Sequence, residues 1–223
     1  MKTAVKNAID EAGGDSSEWY DEIQYKSDTV ELDDYDTVVV ELGGTGVSAF
    51  LSASDTGASV IGVEAAAKVG GTSATVGGPM AINPEDSSVQ PESGTEGYPI
   101  DTDAFEKQWI KDTNGKAKEE CIDIMMNDSG STLDWLIEDH GFSFTPLSNF
   151  MMYPYILYSE YNIQNTITQQ YINALDEACK KNEKNQYLTE VKAEKILSEN
   201  GKITGIEAKG ADGTIYKIHA KSV

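Results

Sequence analysis

The sequence predicts an α/β fold built on parallel strands, and three consecutive patterns carry that prediction. A β-branched run, Asp36-Thr37-Val38-Val39-Val40, leads into Gly43-Gly44-Thr45-Gly46; small and apolar residues at helical spacing follow from Val47 to Ala53 and stop at Gly57; a second apolar run, Ser59-Val60-Ile61-Gly62-Val63, ends at Glu64. Strands buried on both faces read as continuous apolar runs of this kind rather than as alternating ones. Strand, helix and strand within about 30 residues require a crossover, which is right-handed and leaves the two strands parallel.

The other elements are read around that unit. Residues 1–34 are polar and acidic, with a short helical pattern near the start, and read as a lead-in or linker. Residues 35–100 hold the β-α-β core and then a stretch from 68 to 100 rich in Gly, Ser, Thr and Pro, a long ordered loop of the kind that usually has a function. Residues 101–182 read as a helical insertion, with apolar residues three and four apart from Thr102 to about His140 and again from Thr166 to Lys181. Residues 183–223 hold three strand-like segments, 186–197, 202–209 and 214–223, separated by Glu199-Asn200-Gly201 and Ala211-Asp212-Gly213, so the chain closes on a β-hairpin.

Composition narrows the partners. The formal net charge of −21, from 38 acidic against 17 basic residues, repels a nucleic-acid backbone and anionic lipid. There is no apolar run of ~18 residues and no apolar core to the first residues, so neither membrane insertion nor a targeting signal is indicated, and cytoplasmic or exported placement as part of a longer protein stays open. Cys121 and Cys179 form no CxxC and read as small buried hydrophobes. His140, before Gly141 at a helix end, and His219, within a strand, have no acid or nucleophile at a recognisable spacing and read as structural. No set of residues has metal-ligand spacing.

A dinucleotide site needs a glycine-rich turn that lets backbone approach a pyrophosphate, a helix amino-terminus facing the phosphates, and an acid about 20 residues later for the ribose hydroxyls. Gly43 and Gly46 stand at the second and third glycine positions, a helix follows, and Glu64 ends the second strand. The next block, Lys68-Val69-Gly70-Gly71-Thr72-Ser73-Ala74-Thr75-Val76-Gly77-Gly78-Pro79-Met80, resembles the stretch that the fumarate reductase, succinate dehydrogenase and flavocytochrome c flavoproteins run along FAD. Asn200-Gly201-Lys202-Ile203-Thr204-Gly205-Ile206 and residues 213–223 are similar to the hairpin preceding that family's Ala-Thr-Gly-Gly strand.

The resemblance covers residues 36–83 and 164–223 and implies a Rossmann-like FAD-binding domain, present in part. It implies Gly43, Gly44, Thr45 and Gly46 at the pyrophosphate and Glu64 at the ribose. Lys68, Gly70, Gly71, Thr72, Ser73, Gly77 and Gly78 would follow the cofactor toward the flavin, and the strand around Ala193 would carry the adenine. The implied activity of the parent protein is hydride transfer between flavin N5 and the C=C bond of a small unsaturated carboxylate; steroid dehydrogenation and reduction of urocanate- or cinnamate-like acids are alternatives within the family. A reading of another class is a folded fragment, or a nucleotide-binding module, without turnover.

Two departures stand out. Glu41 occupies the first glycine position, in Val40-Glu41-Leu42-Gly43, and puts an anion beside the phosphates, so weakened FAD binding is expected. The sequence ends at Val223, ahead of the strand that closes the FAD site and of the family's substrate-binding Arg and His residues. No catalytic residue is therefore expected within residues 1–223, the chain alone is expected to be inactive, and the uncovered sheet edge is expected to self-associate. The aromatic group Phe150, Tyr153, Tyr155, Tyr158 and Tyr161, with Met151 and Met152, reads as core or interface, with a flavin-pocket role as the alternative.

Overall fold

The structure is a computed structural model and describes residues 2–19, 25–26, 28–149, 157–161 and 164–223. In chain order the helices are α1 (Lys2–Glu11), α2 (Gly44–Asp55), α3 (Thr102–Asp112), α4 (Glu119–Glu138) and α5 (Ile167–Lys181). The strands are β1 (Thr29–Val40), β2 (Val60–Val63), β3 (Ser148–Asn149), β4 (Leu157–Tyr158), β5 (Gln186–Leu188), β6 (Val191–Glu199), β7 (Lys202–Gly210) and β8 (Ile215–Ser222).

One six-stranded sheet, ordered β5-β2-β1-β8-β7-β6, organises the chain. β1 pairs in parallel with β2 from Thr37–Val60 to Val40–Val63, so the expected strand, helix, strand order of residues 36–64 is present. The pleat sends Val39 and Val60 to one face, into a core with Phe50 and Leu51 of α2 and Tyr171, Ala174 and Leu175 of α5. Val38 and Ile61 face the other way and are buried with Ile206 of β7 and Ile218 and Ala220 of β8. Helices thus cover one side of the parallel strands and the antiparallel strands curl over the other.

Several elements differ from the sequence expectation. β1 begins at Thr29, inside the segment read as a lead-in, because Val30 and Leu32 alternate with Glu31 and Asp33 and pair in parallel with β8. The helical stretch from 102 to 140 is broken at residues 113–118, where Asn114 and Gly115 both take positive φ. The strand read over 186–197 is two strands: Glu190, at φ 57, turns the chain, so that β5 joins β2 while β6 pairs antiparallel with β7. Cys121 is exposed rather than buried, whereas Cys179 is half-buried and its thiol is pushed up to about 11 by desolvation. Asn200 and Gly201, both at positive φ, make the expected tight turn between β6 and β7. Of the helices read as an insertion, α3 and α4 share a satellite core around Phe105, Ile122 and Met126, while α5 packs on α2.

Candidate functional site

The site is built where β1 hands the chain to α2. The Glu41 N–H donates to Val63 O at 2.8 Å, the last rung between the parallel strands. Glu41 itself lies at φ 69, in the left-handed region that glycine adopts without cost and other residues adopt against steric resistance. The backbone there is therefore the one a dinucleotide turn requires of its first glycine, although the residue is glutamate. Leu42 follows, fully buried, and it is seated over Gly62, where an added Cβ would come within 3.0 Å of the Leu42 side chain. Gly43 caps α2, and its carbonyl accepts the Val47 N–H at 2.8 Å. A Cβ on Gly46 would lie 1.8 Å from Glu41 O, so only glycine lets the helix approach its own turn this closely.

The second glycine block is stitched to the first by backbone. Gly70 N–H donates to Leu42 O at 2.7 Å, and Gly43 and Gly70 form a parallel bridge. The short 3-10 turn Gly71–Thr75 then brings Ser73 Oγ to within 3.3 Å of the Gly44 N–H, which donates to it. Glu64 ties the same parts together from below. Only 7% exposed, its carboxylate accepts Leu42 N–H on Oε2 at 2.9 Å and Ala66 N–H on Oε1 at 2.8 Å. Each oxygen keeps lone-pair capacity for a further donor, which is what a ribose hydroxyl requires.

These parts border one cavity of about 860 Å³, lined by Glu41, Gly43, Gly44, Thr45, Gly46, Ala49, Glu64, Gly71, Thr72 and Ser73 and, on the far side, by residues 37–40, Ser222 and Val223. Among the described residues that line it, Glu41 and Glu64 are the charged side chains. The remaining residues singled out from sequence stand back from it. Gly70 lies behind the turn against Thr168, Lys68 is exposed, Gly77 faces open space, and Gly78 is pressed on Ser159, whose carbonyl oxygen an added Cβ would meet at 1.9 Å. Ala193 borders a neighbouring hollow with Ile196 and Ile206, which shares Val40 and Val223 with the main cavity.

Sequence reasoning missed α5 as part of the site. Tyr171 brings its hydroxyl to the Gly44 turn and hydrogen-bonds Ser73, while burial raises its phenol above the ordinary value. Nothing but helical periodicity marked that residue, which lies more than a hundred positions from the turn it supports. Of the aromatic group, Tyr161 packs on Phe144 at 5.8 Å and burial pushes its phenol up to about 12; Phe150, Met151, Met152, Tyr153 and Tyr155, and the side chain of Tyr158, lie outside the described residues. Both histidines do have acids, brought from afar by the fold. His140 Nε2 lies 3.0 Å from Asp55 Oδ2, which also accepts the Trp135 indole N–H at 3.0 Å, and His219 Nε2 lies 3.1 Å from Glu31 Oε2.

A helix amino-terminus whose Thr45 and Gly46 amides are not engaged among the described residues, a glycine that admits close backbone approach and a buried acid at the end of the second strand fit a dinucleotide; the Glu41 carboxylate is the one lining group that does not. Fold and site together define a dinucleotide-binding domain of the flavoprotein kind. The chain belongs to the family described as FAD binding domain, whose profile matches residues 36–223, and its cofactor is FAD. It is 25% identical over 234 residues to the urocanate reductase of Eggerthella lenta, covering 99% of this chain and 36% of that protein. Among solved structures, the open conformation of a flavocytochrome c3 fumarate reductase superposes with a TM-score of 0.66 at 21% identity, over 100% of this chain and 36% of that one. A 3-ketosteroid-Δ4-(5α)-dehydrogenase from Rhodococcus jostii RHA1 gives 0.65 at 18% identity, over 90% of this chain and 46% of that one. These likenesses are likenesses of fold, and the chain spans about a third of the length of the curated relative it matches. No described helix is long and apolar enough to cross a membrane.

Proposed function

We propose that this chain is the FAD-holding part of a flavin-dependent oxidoreductase that reduces the C=C bond of a small unsaturated carboxylate, of the fumarate or urocanate kind. The observation that carries the reading is the stitching of both glycine blocks and Glu64 around one cavity at the start of α2. The first-turn amides of α2 receive the pyrophosphate, Glu64 receives the ribose hydroxyls, and Thr72 and Ser73 lie along the path toward the flavin. Bound FAD supplies a hydride donor and acceptor at its N5. The likeness to the urocanate and fumarate reductases supports the carboxylate substrate.

Substrate clamping is a separate matter. All 17 basic residues of the chain are lysine, so it contains no arginine fork to grip a carboxylate bidentately, and the cavity lining offers no cation. Positioning of substrate against a cofactor is worth roughly 7–11 kcal/mol of barrier, and a placed acid adds about 10²–10⁴ in rate. We therefore assign no catalytic residue within residues 1–223. The purified chain should quench flavin fluorescence on titration with FAD, and with chemically reduced flavin it should not reduce fumarate or urocanate faster than flavin alone. A colourless protein with no quenching overturns the FAD reading; turnover above the flavin control places the catalytic groups inside this chain. We further propose self-association along β1, where pairing with β8 stops at Thr37–Ser222 and residues 38–40 carry pairing with β2 alone. Light scattering that returns a strict monomer argues against it.

A further inference from the structure

On the reading that this cavity holds FAD, we infer that Glu41 sets its cofactor affinity by electrostatic repulsion, so that loading tightens as ionic strength rises. Glu41 is exposed and lines the cavity together with Gly43, Gly44, Thr45 and Gly46, the residues that open α2. Among the described residues no hydrogen bond or ion pair engages its carboxylate, and no lysine lines the cavity to offset it. The other charged lining group, Glu64, is also an acid, and its two oxygens are already held by Leu42 N–H and Ala66 N–H. A pyrophosphate entering here meets amide dipoles and two carboxylates, inside a protein of net charge −21. Phosphate sites ordinarily weaken in salt because salt screens attraction; here the term that salt screens is repulsion.

Glu41 carries two separable penalties. Its charge acts on the ligand. Its φ of 69 acts on the protein, because a side chain in the left-handed region is strained whatever its charge. Glutamine retains the side chain and the backbone strain while removing the charge; glycine removes all three. The two substitutions therefore move different observables, and the pair distinguishes a charge effect on affinity from a general loosening of the turn.

The test is FAD titration of the wild-type chain, Glu41→Gln and Glu41→Gly, followed by flavin fluorescence at low and at ~1 M salt, with thermal unfolding of each apo protein. At ~5 Å with water-like screening a like-charge pair corresponds to about a fourfold change in Kd, so at low salt both variants should bind FAD at least about fourfold more tightly than wild type. At ~1 M salt the Debye length is about 3 Å, and wild type and Glu41→Gln should converge to within about twofold. Only Glu41→Gly should unfold at a clearly higher temperature. Equal low-salt affinities of wild type and Glu41→Gln, or a difference that persists unchanged in high salt, overturn the inference while leaving the FAD assignment intact. If no variant binds FAD in any condition, the FAD assignment fails and the inference with it.

Discussion

The two halves of the sheet solve the same problem in opposite ways. In the parallel half, β2 is buried along its whole length and the chain is positioned by backbone pressed on backbone, as at Gly46 against Glu41 O. In the other half, β6 is exposed over most of its length, and the parallel seam by which β8 joins β1 is laced by charge: Lys217 and His219 on Glu31 and Lys221 on Asp36, with Lys26 on Asp212 beside the turn into β8. Exposed pairs of this sort contribute little each, whereas close backbone approach admits no substitute. The difference teaches where the molecule is tolerant: the exposed charge pairs absorb substitution, whereas glycines pressed on backbone do not, at Gly46 in the cofactor turn and again at Gly205 of β7, where an added Cβ would meet Ile218 O at 1.9 Å.

That contrast is broken most directly by glycine substitutions. Gly46→Ala should cost ~3 kcal/mol or more, or abolish soluble protein, because backbone lies 1.8 Å from the new carbon. Gly201→Ala, at φ 77 with nothing within 4 Å, should cost only about 1 kcal/mol. Paired denaturant titrations check both, and equal costs would dissolve the contrast. Next in size, Glu64→Ala leaves the Leu42 and Ala66 amides without their acceptor, and a loss of about 2–4 kcal/mol with loss of FAD quenching is expected. Glu64→Gln should retain part of both. Asp55→Ala frees the Trp135 indole and His140, a change expected to lower stability by ~1–2 kcal/mol without touching the cavity.

The smallest expected effect lies in the charged half and appears in acid. Lys26 and Thr214 hold Asp212 down to about 2, and Lys221 and Ser59 hold Asp36 lower still. Both carboxyls are depressed in the folded state, so what they contribute is fully present above the ordinary aspartate value of ~3.9 and is lost as pH falls toward about 2. The melting temperature should decline through that window, and Asp212→Asn should flatten the decline by slightly lowering the neutral-pH melting temperature, with the two proteins converging in acid. Melts recorded across the acid limb settle it.

Legibility followed the same division. Where structure is local, sequence sufficed: the valine run, the glycine turn, the helix and the acid occur in order, and even the misfit at position 41 announced a glycine position, which the backbone conformation of Glu41 bears out. Where structure depends on distant pairing, it did not. Acidic residues at 31, 33 and 34 hid the strand start at Thr29, whose partner β8 lies some 185 residues away, as the Thr37–Ser222 contact records. Glu190 gave no outward sign of turning one strand into two, and Tyr171 looked like any core aromatic on a helix until the fold laid it under the turn.

That last separation bears on how the protein comes into being. During synthesis at about 5–20 residues per second, β1 and the first glycine turn leave the ribosome roughly ten seconds or more before α5 and β8 exist to cover them. In that interval the valines of β1 have β2 as their neighbour but lack the helix behind the turn and the strand on the other side, which are the features that make a nascent segment stick to others like it. A stalled or slowly translated message would lengthen that exposure. Yield from a cell should therefore depend on translation speed and on holding chaperones more steeply than the stability of the finished fold would suggest.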